Sequence, residues 1–141
     1  MAPKTPTALS RKLIRRIIKD GARPNERRDA AFRQRILSIP KGKVATYGQV
    51  AAAAGYPLYH RAVARLLRVT SGHSIPWQRV VGAGGAIKLR FEAGAEQRLR
   101  LEIEGVTFRG RKVDLAVHLH VFGAWDDPYY WLDGAAGHLR R

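Results

Sequence analysis

The chain has 141 residues, with 26 Lys and Arg against 11 Asp and Glu, a formal charge of +15 and a pI near 11.2. The length suits one domain with tails, and the charge points to a polyanionic partner, nucleic acid first and an acidic membrane surface as its rival. The absence of cysteine excludes disulfides, thiolate-ligated metals and cysteine nucleophiles; no signal-peptide core and no apolar run near the ~20 residues of a bilayer span are present, so a cytoplasmic, nucleoid-associated protein is expected, and a monomer is expected besides.

Residues 1–8 hold two prolines and little that could pack, and read as a loose terminus. Leu9, Leu13, Ile14, Ile17 and Ile18 then recur at helical spacing with Arg11, Lys12, Arg15, Arg16 and Lys19 between them. This is a basic amphipathic helix that Gly21 can end, and it could lie on the core or on DNA phosphates. Arg23-Pro24-Asn25 reads as a linker. Asp29 is a candidate N-cap for a second helix with Phe32, Ile36 and Leu37 inward, stopped by Pro40.

Lys41-Gly42-Lys43 makes a turn, Val44-Ala45 a short extended piece, and Thr46 with Gln49 fits a capping box opening a helix that runs to Gly55. After Gly55-Tyr56-Pro57 a third helix is expected from about Leu58 to Arg68, burying Val63, Leu66 and Leu67 with Arg61, Arg65 and Arg68 facing elsewhere. Two short helices about a glycine turn predict a helix-turn-helix. Beyond Ser71-Gly72, Pro76 makes a stiff, non-helical junction at Trp77. Val80-Val81 and Ile87-Lys88-Leu89 flank Gly82-Ala83-Gly84-Gly85, which reads as a hairpin and as the wing of a winged helix-turn-helix. No Gly-Lys-Ser/Thr follows those glycines, which argues against a phosphate loop. A helix over Ala93–Glu104 with Leu99 and Ile103 inward, ended by Gly105, precedes extended pieces at Val106–Phe108 and Val117–Phe122. His118 and His120 would share a strand face, two ligands without a third. The tail, with Trp125, Asp126, Asp127, Tyr129, Tyr130 and Trp131, is aromatic and acidic.

The run Pro76-Trp77-Gln78-Arg79 resembles the proline-cysteine-histidine-arginine motif of the O6-alkylguanine-DNA alkyltransferases. Trp77 stands where the acceptor cysteine would be and Gln78 where the histidine would be. The substituted form is similar to that of the alkyltransferase-like proteins, relatives that bind O6-alkylguanine in DNA without repairing it; these usually keep the histidine. The likeness spans about Phe32 to Phe108 and includes Lys43-Val44-Ala45-Thr46-Tyr47-Gly48-Gln49-Val50-Ala51. It implies a mainly α fold with a small β component, the winged helix-turn-helix of the alkyltransferase C-terminal domain, over residues 29–113, between a basic extension (1–28) and an aromatic, acidic one (114–141).

By that resemblance Tyr47 crowds the phosphate beside the target nucleotide, Arg61 is the arginine finger that fills the gap left by a flipped base, and the helix enters the minor groove with Arg65 and Arg68 on DNA. Pro76, Trp77, Gln78, Arg79 and Arg90 form the lesion pocket. Trp77 is an apolar wall and Arg90 a cation facing the base, while Arg79 supports the pocket backbone. Glu104 matches the family's glutamate position but has no catalytic histidine to orient. The implied function is a non-enzymatic sensor, without cofactor, that flips O6-alkylguanine in duplex DNA and flags it for nucleotide excision repair. Two alternatives stand beside it. A transcription regulator would use the same helices in the major groove, although residues 58–69 offer arginines and a histidine rather than a base-reading set. A base-excision enzyme would use Glu104 or Glu102 to activate water.

Overall fold

A computed structural model describes residues 10–69 and 74–123. Leu9, the Ser71-Gly72 turn and the aromatic, acidic tail lie outside them. In chain order the elements are α1 (Arg11–Gly21), α2 (Glu26–Leu37), β1 (Ala45–Thr46), α3 (Tyr47–Ala53), α4 (His60–Val69), β2 (Val80–Val81), α5 (Phe91–Ile103), β3 (Phe108–Arg109), β4 (Lys112–Val113) and α6 (Leu115–His118). Short 3-10 turns at Trp77–Arg79 and Ala83–Gly85 flank β2. The fold is mainly α with a small β component, and no described helix is long and apolar enough to cross a membrane.

β1 and β2 pair in parallel, Ala45 with Val80 and Thr46 with Val81, and this two-residue ladder divides the core. Because successive strand side chains point to opposite faces, Ala45 and Val80 join one cluster with Phe32, Ile36, Val50, Val63 and Leu66. Val44 and Val81 join the other, with Leu101, Val106 and Val113. The first cluster seats α2, α3 and α4; the second seats α5 and the β3–β4 hairpin.

The helix-turn-helix forms as its sequence signals dictate. The Thr46 hydroxyl accepts from Gln49 N (3.2 Å) and the Gln49 side chain accepts from Thr46 N (2.9 Å), completing the capping box. Gly55, at φ 91°, turns the chain after α3. Pro57 and a left-handed Leu58 (φ 74°) hold the backbone out of helix until His60, so α4 starts two residues later than expected.

Several expectations fail for local reasons. Asn25, not Asp29, caps α2: its side chain accepts from Arg28 N at 2.9 Å, and Asp29 is buried in the first turn, where its charge suits the helix dipole. Leu37 is exposed; Arg28, Phe32, Arg35 and Ile36 face inward. The expected 80–89 hairpin does not form. β2 is spent on β1, and Ala86 bridges Lys112 instead. Gly85 (φ 89°) permits this, since a Cβ there would stand 2.6 Å from Val113 O. Among the described residues the antiparallel hairpin is β3–β4 across Gly110 (φ 64°).

α5 begins at Phe91 and turns inward Gln97 and Leu101, while Leu99 and Ile103 are exposed. Val117 and His118 belong to a short helix rather than a strand, and Leu119 then bridges Val44 in parallel. His118 Nε2 accepts from Thr107 N (2.9 Å), which leaves Nδ1 to donate to Gly42 O (3.0 Å). Its ring is thereby a structural post, and no group of three potential metal ligands exists among the described residues.

Candidate nucleic-acid interface and base-sized cavity

α4 is amphipathic. Ala62, Val63 and Leu66 are buried, and the turns between them carry Arg61, Arg65 and Arg68 to another face. Spacing of three and four residues puts Arg61, Ala64, Arg65 and Arg68 along one stripe. None of the three arginines has an acidic partner among the described residues. Arg61 and Arg68 are exposed, and Arg65 is half-buried. Unpaired cations beside the small side chain of Ala64 allow close approach to a polyanion.

Against the flank of that stripe lies a cavity of about 260 Å³, lined by Tyr47, Ala64, Leu67, Arg68, Trp77, Val80, Lys88, Leu89 and Gln97. Its volume sits just under the roughly 300–1,000 Å³ usual for small-molecule sites, suiting one heterocycle rather than an extended ligand. Most of its wall is apolar. Lys88 and Arg68 supply charge at its edge. Tyr47, first residue of α3, is half-buried between this cavity and a neighbouring groove that runs past Thr46, Gly48, His60 and Lys88. Burial raises its phenol above the ordinary tyrosine value, an effect that the charge of Arg68 partly offsets.

Trp77 is held there by the backbone before it. Pro76 (φ −77°, ψ 69°) has the geometry of an inverse γ-turn, closed by Trp77 N donating to Ile75 O at 2.8 Å. A 3-10 turn follows, with Arg79 N on Pro76 O at 3.0 Å. The Arg100 guanidinium packs 5.5 Å from the indole centroid. Rigid entry, a helical turn and a cation against the ring fix the indole as part of the cavity wall.

Gln78 and Arg79 turn away from the cavity and meet Glu104. Gln78 Nε2 donates to Glu104 Oε2 (2.8 Å); Arg79 donates through Nε to Oε1 (3.0 Å) and Nη2 to Oε2 (3.1 Å), and its Nη1 reaches Ile39 O (2.9 Å). Burial alone would raise the Glu104 carboxyl. Hydrogen bonds from Arg79 and Gln78, the charge of Arg79 and a backbone bond at Gly42 outweigh it and hold the group below the ordinary glutamate value. Gln97 adds a second brace, donating to Gln78 O (3.2 Å) and Val80 O (2.9 Å) from a fully buried amide.

The cavity thus gathers Tyr47, Arg68 and Trp77 of the sequence-predicted residues. Pro76, Gln78 and Arg79 lie behind it, shaping the turn that carries Trp77. Arg61 and Arg65 lie beside it on α4. Arg90 is exposed at the N-cap of α5, one residue past the lining Leu89. The sequence alone does not reveal Lys88 as a wall residue, Gln97 as a brace or Glu104 as the centre of a clasp. Buried polar side chains leave no hydropathy signal, although the spacing of Gln97, Leu101 and Glu104 places the three on one helix face.

A family model described as 6-O-methylguanine DNA methyltransferase, DNA binding domain, matches residues 28–106. The chain is 44% identical over 72 residues to a DNA base-flipping protein of Vibrio parahaemolyticus, spanning 50% of this chain and 72% of the relative. It is 40% identical over 74 residues to alkyltransferase-like protein 1 of Schizosaccharomyces pombe, spanning 50% and 68%. Its structure is similar to that of S. pombe Atl1 in complex with damaged DNA containing O6-carboxymethylguanine, at 28% identity and a TM-score of 0.61, over 71% of this chain and all of that one. A similar likeness, at 28% identity and a TM-score of 0.51, links it to Mycobacterium tuberculosis OGT in complex with DNA, over 58% and 51% of the two chains.

Proposed function

Since the chain belongs to the family of the 6-O-methylguanine DNA methyltransferase DNA-binding domain, we propose that it is a damage sensor that binds O6-alkylguanine in duplex DNA, turns the base out and holds it unrepaired. The observation that carries this reading is the base-sized cavity walled by Trp77, at the motif position where the acceptor cysteine would stand, in a chain with no cysteine at all. The relatives named for base flipping and the neighbour bound to O6-carboxymethylguanine DNA supply the substrate class.

The steps follow from residue chemistry. Arg65 and Arg68 neutralise phosphates, and Tyr47 presses the backbone beside the target nucleotide. Extrusion costs a few kcal/mol for a paired base and less where an O6-alkyl group has already weakened pairing with cytosine. Arg61 enters the vacated stack, its guanidinium plane lying on neighbouring bases while its charge stays near phosphates. The extruded base packs on Trp77, with Lys88 and Arg68 at the rim and Arg90 one residue past the lining Leu89. No thiolate stands at the cavity to accept the alkyl: an indole is not a nucleophile of that kind, and the amide of Gln78 behind the cavity does not titrate in the working range. Glu104 is fully engaged by Gln78 and Arg79 and so is not free to activate water. A complex that forms without chemistry persists, and persistence is what excision repair factors would read.

Incubating the protein in excess with a duplex bearing one O6-methylguanine, then recovering the DNA for mass analysis, tests this directly. The methyl group, the glycosidic bond and the backbone are expected to remain intact after many dissociation half-lives. Loss of the methyl group, or of the base, would assign an enzyme instead.

A further inference from the structure

α1 lies outside the family-matched residues, yet it is fastened to the recognition helix. Asp20, near its end, accepts from Arg28 Nη1 (3.1 Å) and from the Tyr59 hydroxyl (2.8 Å), and Tyr59 immediately precedes α4. Arg28 is buried, donates also to Arg23 O (2.9 Å), and packs 5.1 Å from the Tyr59 ring centroid. Gly21 lies against Ala62 so closely that an added Cβ would be 3.3 Å from the Ala62 Cβ. The clasp grips the last turn of α1 alone. Leu13, Ile14 and Ile18 remain 37%, 42% and 37% exposed, so filling the core is not what this helix does.

Its polar face is all cation. Arg11, Lys12, Arg15, Arg16 and Lys19 are exposed and have no acidic partner among the described residues. The helix's one acid, Asp20, is already committed to Arg28 and Tyr59. Between α1 and Tyr59 runs an open groove of about 350 Å³ bordered by Leu13, Arg16, Ile17, Lys19, Asp20, Arg23 and Tyr59. The position of α1 on α4 gives this charge a direction. Ala62 faces α1, whereas Ala64, Leu67 and Arg68 line the base-sized cavity, and helical geometry puts these on opposite flanks. Arg61 and Arg65 project from between them. One basic surface therefore runs from the cavity, across the arginines of α4, to α1.

We propose that α1 is a second DNA-contacting arm that binds the phosphate backbone on one side of the lesion, extending the footprint asymmetrically away from the cavity. This rests on the DNA-binding reading above. Continuity with α4 favours DNA over an anionic bilayer as the polyanion, because a clasp to the recognition helix serves no purpose for a membrane anchor.

The test is a variant with Arg11→Gln, Arg15→Gln, Arg16→Gln and Lys19→Gln, which keeps helix propensity and leaves Asp20 and Gly21 in place. Affinity for an O6-methylguanine duplex is measured against salt, with flanking DNA trimmed from either side in turn. The variant's log–log salt slope is expected to be shallower by about 0.9 for each phosphate that α1 no longer neutralises, so by about 2 or more in all. Trimming one flank, and not the other, should weaken the full protein and leave the variant unchanged. The preference for methylated over plain guanine should be the same in both. Equal slopes and symmetric flank effects would overturn the proposal. So would a variant that loses binding to anionic phospholipid vesicles but keeps its DNA slope. A wild-type protein with the steeper slope and the one-sided flank effect but no lesion preference would sink the sensor reading and leave the arm standing.

Discussion

Arg61→Ala is expected to weaken binding to a duplex with one O6-methylguanine by roughly 100-fold, about 2.7 kcal/mol, while binding to the matched guanine duplex falls only a few-fold. The asymmetry follows from where Arg61 sits. It is the second residue of α4, exposed, unpaired among the described residues and one turn ahead of Arg65, so it leads the stripe proposed to meet DNA. On the proposed function its charge is replaceable by its neighbours, whose phosphate contacts would dominate binding to undamaged DNA. Its plane is not. An extruded base leaves a gap whose stacking energy of a few kcal/mol must be recovered, and Arg61 is the one arginine in the first turn of α4, exposed where Arg28, stacked on Tyr59, is buried. Arg61→Lys therefore restores binding to plain DNA but little of the lesion preference. Parallel losses on both duplexes for the alanine variant would reduce Arg61 to one phosphate contact among several.

Glu104→Ala is expected to lower stability by about 2–3 kcal/mol, less than the roughly 3–5 kcal/mol of a fully buried ion pair because this one is only partly buried. The Glu104 and Arg79 side chains are 9% and 18% exposed, and the substitution leaves Arg79 Nε and Nη2 together with the Gln78 amide without their acceptor. Glu104→Gln keeps the shape and loses the charge, so its cost is smaller. The same carboxylate gives stability a pH dependence of definite sign. Its pKa in the folded protein is below the ordinary glutamate value. Its contribution is therefore fully present above the ordinary value and is lost as the pH falls through the lowered one. Thermal melts should show the wild type losing part of its margin over the Gln variant on acidification through and below pH 4.5, the ordinary glutamate value. A constant difference between the two across that range would contradict the clasp.

Features coded within a few residues are legible in the sequence. The capping box of Thr46 and Gln49, the glycine stop at Gly55 and the amphipathic stripes of α1 and α4 each depend on neighbours in the chain, and all are present. Features decided by distant partners are not. Val80-Val81 looks like one arm of a hairpin because four residues with three glycines follow it. Its true partner is Ala45-Thr46, 35 positions earlier, and two-residue strands carry no alternation by which to infer a register. The phase of α5 is hidden because Leu99 and Ile103 are more apolar than Gln97, and a buried amide bonded to two carbonyls is invisible to hydropathy. Glu104 reads as a helix-end residue, since its importance lies in Gln78 and Arg79, 26 and 25 positions away. The motif itself is legible through Pro76 and Arg79, with Trp77 at the acceptor position; how their turn is braced requires the fold.

On the proposed function, the Trp77-walled cavity selects an O6-alkylated base. A titration of two duplexes identical but for one O6-methylguanine, at moderate fixed salt, tests it most directly, with Trp77→Ala measured alongside. The wild type is expected to prefer the methylated duplex by at least about tenfold, about 1.4 kcal/mol, and the variant to lose most of that preference while still binding DNA. Equal affinity of the wild type for both duplexes, or a preference undiminished in the variant, would contradict it.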